Sequence, residues 1–160
     1  MRHLVSCAIV SIVLCAPAGA AAADAQLTAP IQKFMDSFNK GDAAGAAATH
    51  SATADLAIVD EVPPYHWNGA NAFQAWSADL EADAKKNGIT EQAVTIAAAT
   101  REESDGQRAY VVVPAVYSFK QNGKPMSEKA QMTFVLKKGA SGWLIHSWTW
   151  TGPKPSPARP

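Results

Sequence analysis

The apolar residues in the first half of the chain follow a helical pattern. Within residues 31–38 they recur at spacings of three and four, which places them on one face of a helix. Thr28 can cap the start of this helix, and Gly41 can end it in a left-handed conformation. A short alanine-rich helix is predicted over 42–48 and a third helix over 71–87. The buried stripe of the third helix consists of Phe73, Trp76, Leu80 and Ala84.

The second half of the chain changes to a pattern typical of strands. One short strand is predicted at 54–59, before the third helix. Because helices come first and a meander of strands follows, the order predicts an α+β fold with the helices on one face of a curled sheet. The later strands, separated by turn residues such as Asn122-Gly123, are predicted at 89–100, 108–119, 126–136 and 143–151.

The first 23 residues have the parts of a secretory signal peptide. A basic start at Arg2 precedes an apolar run and a series of small residues that fit cleavage after Ala20 or Ala23. The apolar run is too short for a membrane span, which takes ~20 residues. We therefore predict a periplasmic or secreted protein with no membrane attachment after cleavage. Cys7 and Cys15 lie inside the signal, so the mature chain would have no thiol for a disulfide, a metal or catalysis.

The rest of the chain is predicted to form one domain, residues 24–152, followed by a disordered proline-rich tail, 153–160. The 14 Lys and Arg residues balance the 14 Asp and Glu residues. With no basic stripe, nucleic acid is not an expected partner. His50, His66 and His146 lack the close spacing of metal-ligand motifs, so no metal is predicted, and no cofactor is indicated.

Three stretches resemble parts of a known family: 34–42 with its Asn-x-Gly-Asp turn, 67–73 with its glycine turn into the third helix, and 142–150 as a closing strand. Their order is similar to that of the nuclear transport factor 2-like superfamily, which includes SnoaL-like proteins and ketosteroid isomerase. The resemblance implies a cone-shaped curved antiparallel sheet packed on three helices, with a pocket between them. It also implies a homodimer through the outer sheet. Since the superfamily includes both enzymes and binders, function stays open.

Asp60 and His146 are the candidate catalytic residues. Asp60 ends the first predicted strand, where the resemblance to ketosteroid isomerase implies a general base at the pocket rim. His146 shares one face of the last predicted strand with Trp148, so it could meet Asp60 across the cone. His50 and His66 are further candidates, because similar dehydratases use an aspartate with two histidines. Alternatively, Asp60 is a solvated strand-end acid and His146 is a packed or dimer-facing residue.

The other catalytic groups of ketosteroid isomerase are missing. Phe34 stands where the resemblance places a tyrosine, and residues 131–133 offer no acid for the oxyanion site. Steroid isomerase activity is therefore not expected. Glu128 shares the alternation of the apolar positions on its strand. It lies either at the wet end of that strand, as the nearby Asn122-Gly123 turn favours, or inside the pocket with a raised pKa.

Aromatic residues are the other indication of a pocket. Such rings suit flat apolar ligands, although they also fill cores and dimer interfaces. Trp143 and Ile145 alternate with Trp148 and Trp150, so one pair is expected inside and the other on the outer face of the sheet. The residues predicted to bind a ligand are Phe34, Phe38, Tyr65, Trp67, Trp76, Tyr117 and Trp148.

Three functions fit these observations. The first is an exported domain that binds a small apolar or aromatic molecule, which we favour because the chain is rich in aromatic residues and lacks a complete catalytic set. The second is an acid–base enzyme of the isomerase, dehydratase or cyclase type, with Asp60 as base and His146 assisting. The third is a homodimeric structural or partner-binding domain.

Overall fold

The computed structural model describes residues 24–158, so the predicted signal peptide lies outside the described residues. The helices are α1 (Ala25–Asn39), α2 (Ala43–Ala47) and α3 (Ala72–Asn87). The strands are β1 (Ala57–Val59), β2 (His66–Asn68), β3 (Ile89–Ile96), β4 (Arg101–Ser104), β5 (Arg108–Gln121), β6 (Lys124–Gly139), β7 (Gly142–Thr151) and β8 (Ser156–Pro157). Across this part of the chain, no helix has the length and apolar character needed to span a bilayer.

The strands form one sheet in the order β2-β1-β7-β6-β5-β3. β4 pairs with β5 on the same side as β3, and β8 pairs with β6. The expected α+β fold, a curved sheet packed on three helices, is confirmed. The sheet is mixed rather than wholly antiparallel, because β1 enters it parallel to β7.

A proline on β5 explains why the strand predicted at 89–100 ends early. It stops at Ile96 as β3, and an additional strand, β4, begins at Arg101 beyond the predicted segment; the break between them lies opposite Pro114. Pro114 has no N–H to donate, so it can only accept, and Ala97 donates to its carbonyl oxygen at 3.0 Å. The pairing with β5 resumes at Arg101, opposite Val112.

Both ends of the described chain differ from expectation. Asp24 rather than Thr28 caps α1, because its carboxylate accepts a bond from the backbone N–H of Gln26 at 2.9 Å. The tail is ordered through residue 158, where Ser156 pairs with Ser127 on β6. β6 begins before the residues that β7 covers, and its free edge accepts the tail as β8. Residues 153–158 therefore return along β6, which differs from the expected disordered tail.

A bulge in β7 resets the direction of its side chains. Ile145 pairs with Leu136, whereas Ser147 pairs with Val135, so His146 is an extra residue on β7. An extra residue shifts the alternation by one position, because successive side chains on a strand point to opposite faces.

This bulge places Ile145 and the three tryptophans of β7 toward the core. Ile145 and Trp148 are fully buried, and Trp143 and Trp150 pack against the same core. The prediction that one pair faces inward and the other outward is wrong, because strict alternation does not continue through the bulge.

Aromatic rings form the centre of the core between the helices and the sheet. The ring of Phe34 lies 6.0 Å from that of Phe73, 6.1 Å from that of Trp76 and 5.8 Å from that of Trp148. These separations are typical of favourable aromatic pairs, and each buried ring removes a large apolar area from water. The cluster fixes α1 and α3 against β7.

His50 lies within this aromatic core as a neutral side chain. Its Nδ1 is 3.0 Å from the carbonyl oxygen of Ala46, and the indole of Trp148 donates to its Nε2 at 3.1 Å. Because Nε2 accepts a bond, the ring hydrogen is on Nδ1. Burial lowers the pKa of His50 from 6.5 to about 4, partly offset by the bond to Ala46.

A single side chain connects α1 to the edge strand β3. The amide of Asn39 donates to the carbonyl oxygen of Val94 and accepts from its N–H, both at 2.8 Å. Asn39 thus satisfies both backbone groups of Val94 and holds β3 against the end of the helix.

Replacing Asn39 with alanine should lower the free energy of unfolding by about 1–3 kcal/mol, because two partly buried hydrogen bonds are lost. Urea denaturation measures this change. Lys40→Ala, at the exposed neighbouring position, is the control and should change stability by less than about 0.5 kcal/mol. Equal effects of the two substitutions would contradict the role assigned to Asn39.

The contribution of His50 to stability should depend on pH. The pKa of His50 is 6.5 in the unfolded chain and about 4 in the folded protein. Below pH 6.5 the unfolded chain binds more protons than the folded protein, so low pH favours unfolding. The free energy of unfolding should therefore be unaffected by His50 above pH 6.5 and should decrease by about 3 kcal/mol as the pH falls toward 4. Denaturation curves of His50→Gln should lack this decrease, and those of the exposed control His66→Gln should keep it. If the free energy of unfolding of His50→Gln decreased between pH 6.5 and pH 4 as much as that of the unmodified protein, the prediction would be refuted.

Candidate functional site

A cavity of about 60 Å³ lies between the helices and the sheet, at the end of β1. Its wall is mainly apolar, and its polar residues include two adjacent carboxylates, Asp60 and Glu61. A groove of about 530 Å³ between α1, α2 and α3 shares Phe38, Trp76 and Leu80 with the cavity. The aromatic residues of the cavity wall are Phe38, Trp76, Tyr117, Trp148 and Trp150.

Asp60 is held at the cavity wall by two hydrogen bonds. The indole N–H of Trp76 donates to Oδ2 at 2.6 Å, and the backbone N–H of Glu61 donates to Oδ1 at 2.7 Å. The backbone N–H of Asp60 donates to the carbonyl oxygen of Tyr65, which closes the β1–β2 loop. Burial raises the pKa of Asp60 above its ordinary value, although the two bonds oppose this rise. The result is a fixed, partly desolvated carboxylate.

Glu61 and Glu128 form a second acidic pair beside the cavity. Burial raises the pKa of Glu61 to about 8, and hydrogen bonding with Glu128 and the charges of Glu128, Asp60 and Asp83 add to this rise. A protonated Glu61 can therefore share its hydrogen with Glu128 at neutral pH. Asp60 and Glu61, although adjacent, hold their protons over different pH ranges.

Glu128 is buried, with 1% of its surface exposed. The indole of Trp150 donates to its Oε1 at 2.8 Å, whereas its buried Oε2 has no partner that meets hydrogen-bond geometry. The expectation that Glu128 lies at the wet end of its strand is wrong. The chain from Gly152 onward covers it, and a side chain at Gly152 would collide with Oε1.

Tyr117 contributes its ring to the cavity and its hydroxyl group to β3. The hydroxyl donates to Oε1 of Gln92. Burial raises the pKa of Tyr117 above its ordinary value, and the neighbouring carboxylates raise it further, so the phenol stays protonated.

The structure places four of the seven predicted ligand-binding residues on the cavity wall: Phe38, Trp76, Tyr117 and Trp148. The other three are not among its lining residues. Phe34 is packed in the core, and Tyr65 is 58% exposed in a loop with a φ of 73°. The indole of Trp67 donates to Asp79 at 2.8 Å and connects β2 to α3. These three side chains lie away from the cavity wall, because aromatic residues also occupy cores and loops.

The proposed pairing of Asp60 with His146 is not formed. The bulge directs His146 to the connection between α2 and β1, where Nδ1 lies 3.1 Å from Oγ of Ser51 and Nε2 lies 3.3 Å from Oδ2 of Asp55. His50 is in the core and His66 is exposed on β2. The described residues that line the cavity include no histidine.

Glu61 and Trp150 are among the lining residues that are not in the predicted set. Trp150 was expected only as a member of an inward- or outward-facing pair. The signal for Trp150 was its spacing of two from Trp148, which places both on one face of β7 after the bulge. Glu61 had no such signal, because it lies in a loop. Within residues 24–158, no three His, Asp, Glu or Cys side chains are placed to hold a metal ion.

Known structures share this fold. A nuclear transport factor 2-like superfamily protein from Salmonella enterica is 15% identical, with a TM-score of 0.66 over 80% of this chain and 89% of that protein. A ketosteroid isomerase-like protein from Erwinia carotovora atroseptica is 18% identical, with a TM-score of 0.62 over 82% of this chain and 96% of that one. A type 2 hexachlorocyclohexane dehydrochlorinase is 12% identical, with a TM-score of 0.62 over 82% and 88%. At these identities the likeness shows the fold alone.

Sequence comparison gives the family. No curated protein matches the chain significantly. The family described as the SnoaL-like domain matches residues 27–150, nearly all of the described chain. The superfamily expected from the resemblance is confirmed by this match and by the structural neighbours. The chain therefore belongs to the SnoaL-like domain family of the nuclear transport factor 2-like superfamily.

Proposed function

We propose that this domain binds a small apolar or aromatic molecule in the cavity between the helices and the sheet. The observation that carries the proposal is a cavity walled by five aromatic side chains, with the Asp60 and Glu61 carboxylates on one side. Binding sites for small molecules are typically concave, mostly apolar and provided with a few fixed polar groups. This cavity has each of these properties.

The size of the cavity limits what can enter it. About 60 Å³ accommodates a compact group, whereas the adjoining groove of about 530 Å³ is within the usual range for a whole ligand. Phe38, Trp76 and Leu80 belong to both walls. A ligand with a compact head in the cavity and an apolar body in the groove would contact all three side chains.

An acid–base enzyme is the second candidate function. Its support is the pair of neighbouring carboxyl groups with different protonation, since Asp60 is fixed by Trp76 and the pKa of Glu61 is about 8. Adjacent groups whose environments separate their pKa values can act as base and acid in the same reaction. Asp60 would accept a proton from the substrate, and protonated Glu61 would return one.

The homodimer and the periplasmic or secreted location stay predictions. Tyr110 on β5 is 39% exposed, and the guanidinium of Arg101 lies 5.4 Å from the centre of its ring. An exposed aromatic side chain on the sheet is compatible with self-association through this surface.

Neutral aromatic probes should stabilise the domain. With indole at ten times its dissociation constant, we expect the melting temperature to rise by about 3 °C or more, because only the folded state binds. Leu80→Trp should abolish this shift by filling the boundary of cavity and groove, and Ala78→Leu, on the exposed side of α3, should retain it. Unchanged melting temperatures with indole and with cyclohexanol would refute binding of apolar molecules.

The enzyme candidate predicts catalysed proton exchange. Wild-type protein should accelerate exchange of the α-hydrogens of 2-indanone with D₂O, as followed by NMR. Asp60→Asn should reduce this rate at least about 100-fold, because the base is lost. His146→Gln should leave the rate unchanged, since His146 bonds to Ser51 and Asp55. Equal rates in Asp60→Asn and wild type would exclude Asp60 as a base.

A further inference from the structure

Glu102 is a carboxylate on the core-facing side of the sheet. It lies directly opposite Val111 on β5, and opposed residues of paired strands point to the same face. Val111 is fully buried in the core, so Glu102 extends toward the helices. Its neighbours Arg101 and Glu103 lie on the other face, are exposed and bond to each other.

One oxygen of Glu102 holds the start of α1. Oε2 accepts a hydrogen bond at 2.9 Å from the backbone nitrogen of Asp24, 78 positions earlier in the chain. Asp24 is also the cap of α1, since its carboxylate accepts from the N–H of Gln26 and its carbonyl oxygen accepts from that of Leu27. Asp24 is therefore fixed both by the helix that it caps and by β4.

The other oxygen of Glu102 lacks a donor. Oε1 is buried and has no hydrogen-bond partner among the described residues. None of the cationic side chains in residues 24–158 forms an ion pair with Glu102. A carboxylate that is partly removed from water is costly unless donors or a positive charge compensate it. The single hydrogen of an amide nitrogen at Asp24 satisfies Oε2 and leaves Oε1 without a bond.

The sequence before Asp24 offers a source of the missing charge. Residues 21–23 fit the small-x-small pattern for signal-peptide cleavage, and so do residues 18–20. Hydrolysis of the bond after Ala23 consumes one water, leaves a carboxylate on Ala23 and makes the nitrogen of Asp24 an α-amino group. This group is mostly protonated at neutral pH and then has three hydrogens. Cleavage after Ala20 would leave the nitrogen of Asp24 as an amide.

We propose that a signal peptidase cleaves between Ala23 and Asp24, and that the resulting α-ammonium group of Asp24 forms an ion pair with Glu102 that joins α1 to β4. The nitrogen already lies at hydrogen-bond distance from Oε2, and its additional hydrogens become available to Oε1 of the same carboxylate. Charge-assisted bonds of this kind are stronger than those of a neutral amide. This processing site is independent of the proposed ligand-binding function.

The helix itself opposes a positive charge at this position. The N-terminal end of a helix carries a partial positive charge, which repels a cation. The first turn of α1 has no acidic side chain to offset this repulsion. The carboxylate of Asp24 also lies at this end, but it is bonded to Gln26. The new ammonium group should therefore stabilise the fold only while Glu102 carries its negative charge.

The ion pair would stabilise an edge of the sheet. β4 pairs with β5, and the connection 97–99 before β4 borders a surface depression of about 350 Å³ together with the first turns of α1. A bond from Asp24 to Glu102 joins the helix to the strand that follows this connection. Local opening of β4 should therefore be less frequent in the processed chain.

Mass spectrometry of the intact mature protein locates the cleavage. The full chain is produced in a bacterial host, and the processed form is collected from the periplasm or the medium. We expect its mass to correspond to a chain that begins at Asp24. A mature chain that begins at Ala21, or a chain that keeps residues 1–23, would overturn the processing site.

The ion pair is tested by comparing two forms of the domain, one beginning at Asp24 and one at Ala21. Both are released from a fusion partner by a protease that leaves no extra residue. In urea denaturation, the unfolding equilibrium constant of the Asp24 form should be at least about fivefold smaller. In Glu102→Gln this difference should fall below about twofold. Glu103→Gln, at an exposed acid on β4, is the matched control and should keep the difference.

Hydrogen exchange gives a second measurement that needs no substitution. The backbone N–H groups of β4 should exchange at least about threefold more slowly in the Asp24 form than in the Ala21 form. Equal stability and equal exchange of the two forms would overturn the ion pair. A stability difference that persists in Glu102→Gln would also overturn it, because the ammonium group would then act without its assigned partner.

Discussion

The hydrogen bond from Trp76 to Asp60 connects the fold to the site. Trp76 belongs to α3 and packs against Phe34 and Trp148 in the core, whereas Asp60 follows β1 at the edge of the cavity. The indole ring is therefore at once a core residue, a cavity wall and the donor that orients a carboxylate. Because the aromatic core fixes the ring, the carboxylate is held without a basic partner, and the site keeps its negative charge.

The parts of the fold that follow a local pattern could be predicted from the sequence. The apolar stripe of α1 includes Phe38 and that of α3 includes Trp76, and the spacing of each stripe indicates that both rings face the space between helices and sheet. Asp60 was found because a strand ends immediately before it. The hairpin between β5 and β6 followed from Asn122, which adopts a φ of 51°. In each case the spacing or turn chemistry of neighbouring residues contains the information.

The rest depends on contacts between distant residues. The bulge at His146 appears only when β7 pairs with β6, and it reverses the direction expected for that side chain. Glu128 is buried because the tail returns along β6. The proline-rich composition of the tail gives no local signal for this pairing. The carboxyl pair of Glu61 and Glu128 joins a loop to a strand 67 positions later, and no local pattern indicates it. The acidic character of the cavity is therefore a property of the tertiary structure.

The central claim is that Asp60 and Glu61 are carboxyl groups with raised pKa values on the wall of an apolar cavity. An NMR titration of the side-chain carboxyl ¹³C resonances tests it directly, with the indole proton of Trp76 reporting on Asp60. The account predicts a pKa of about 8 for Glu61 and a pKa of Asp60 above 3.8. Ordinary values for both groups, near 4.5 and 3.8, together with a Trp76 resonance that does not follow Asp60, would contradict it.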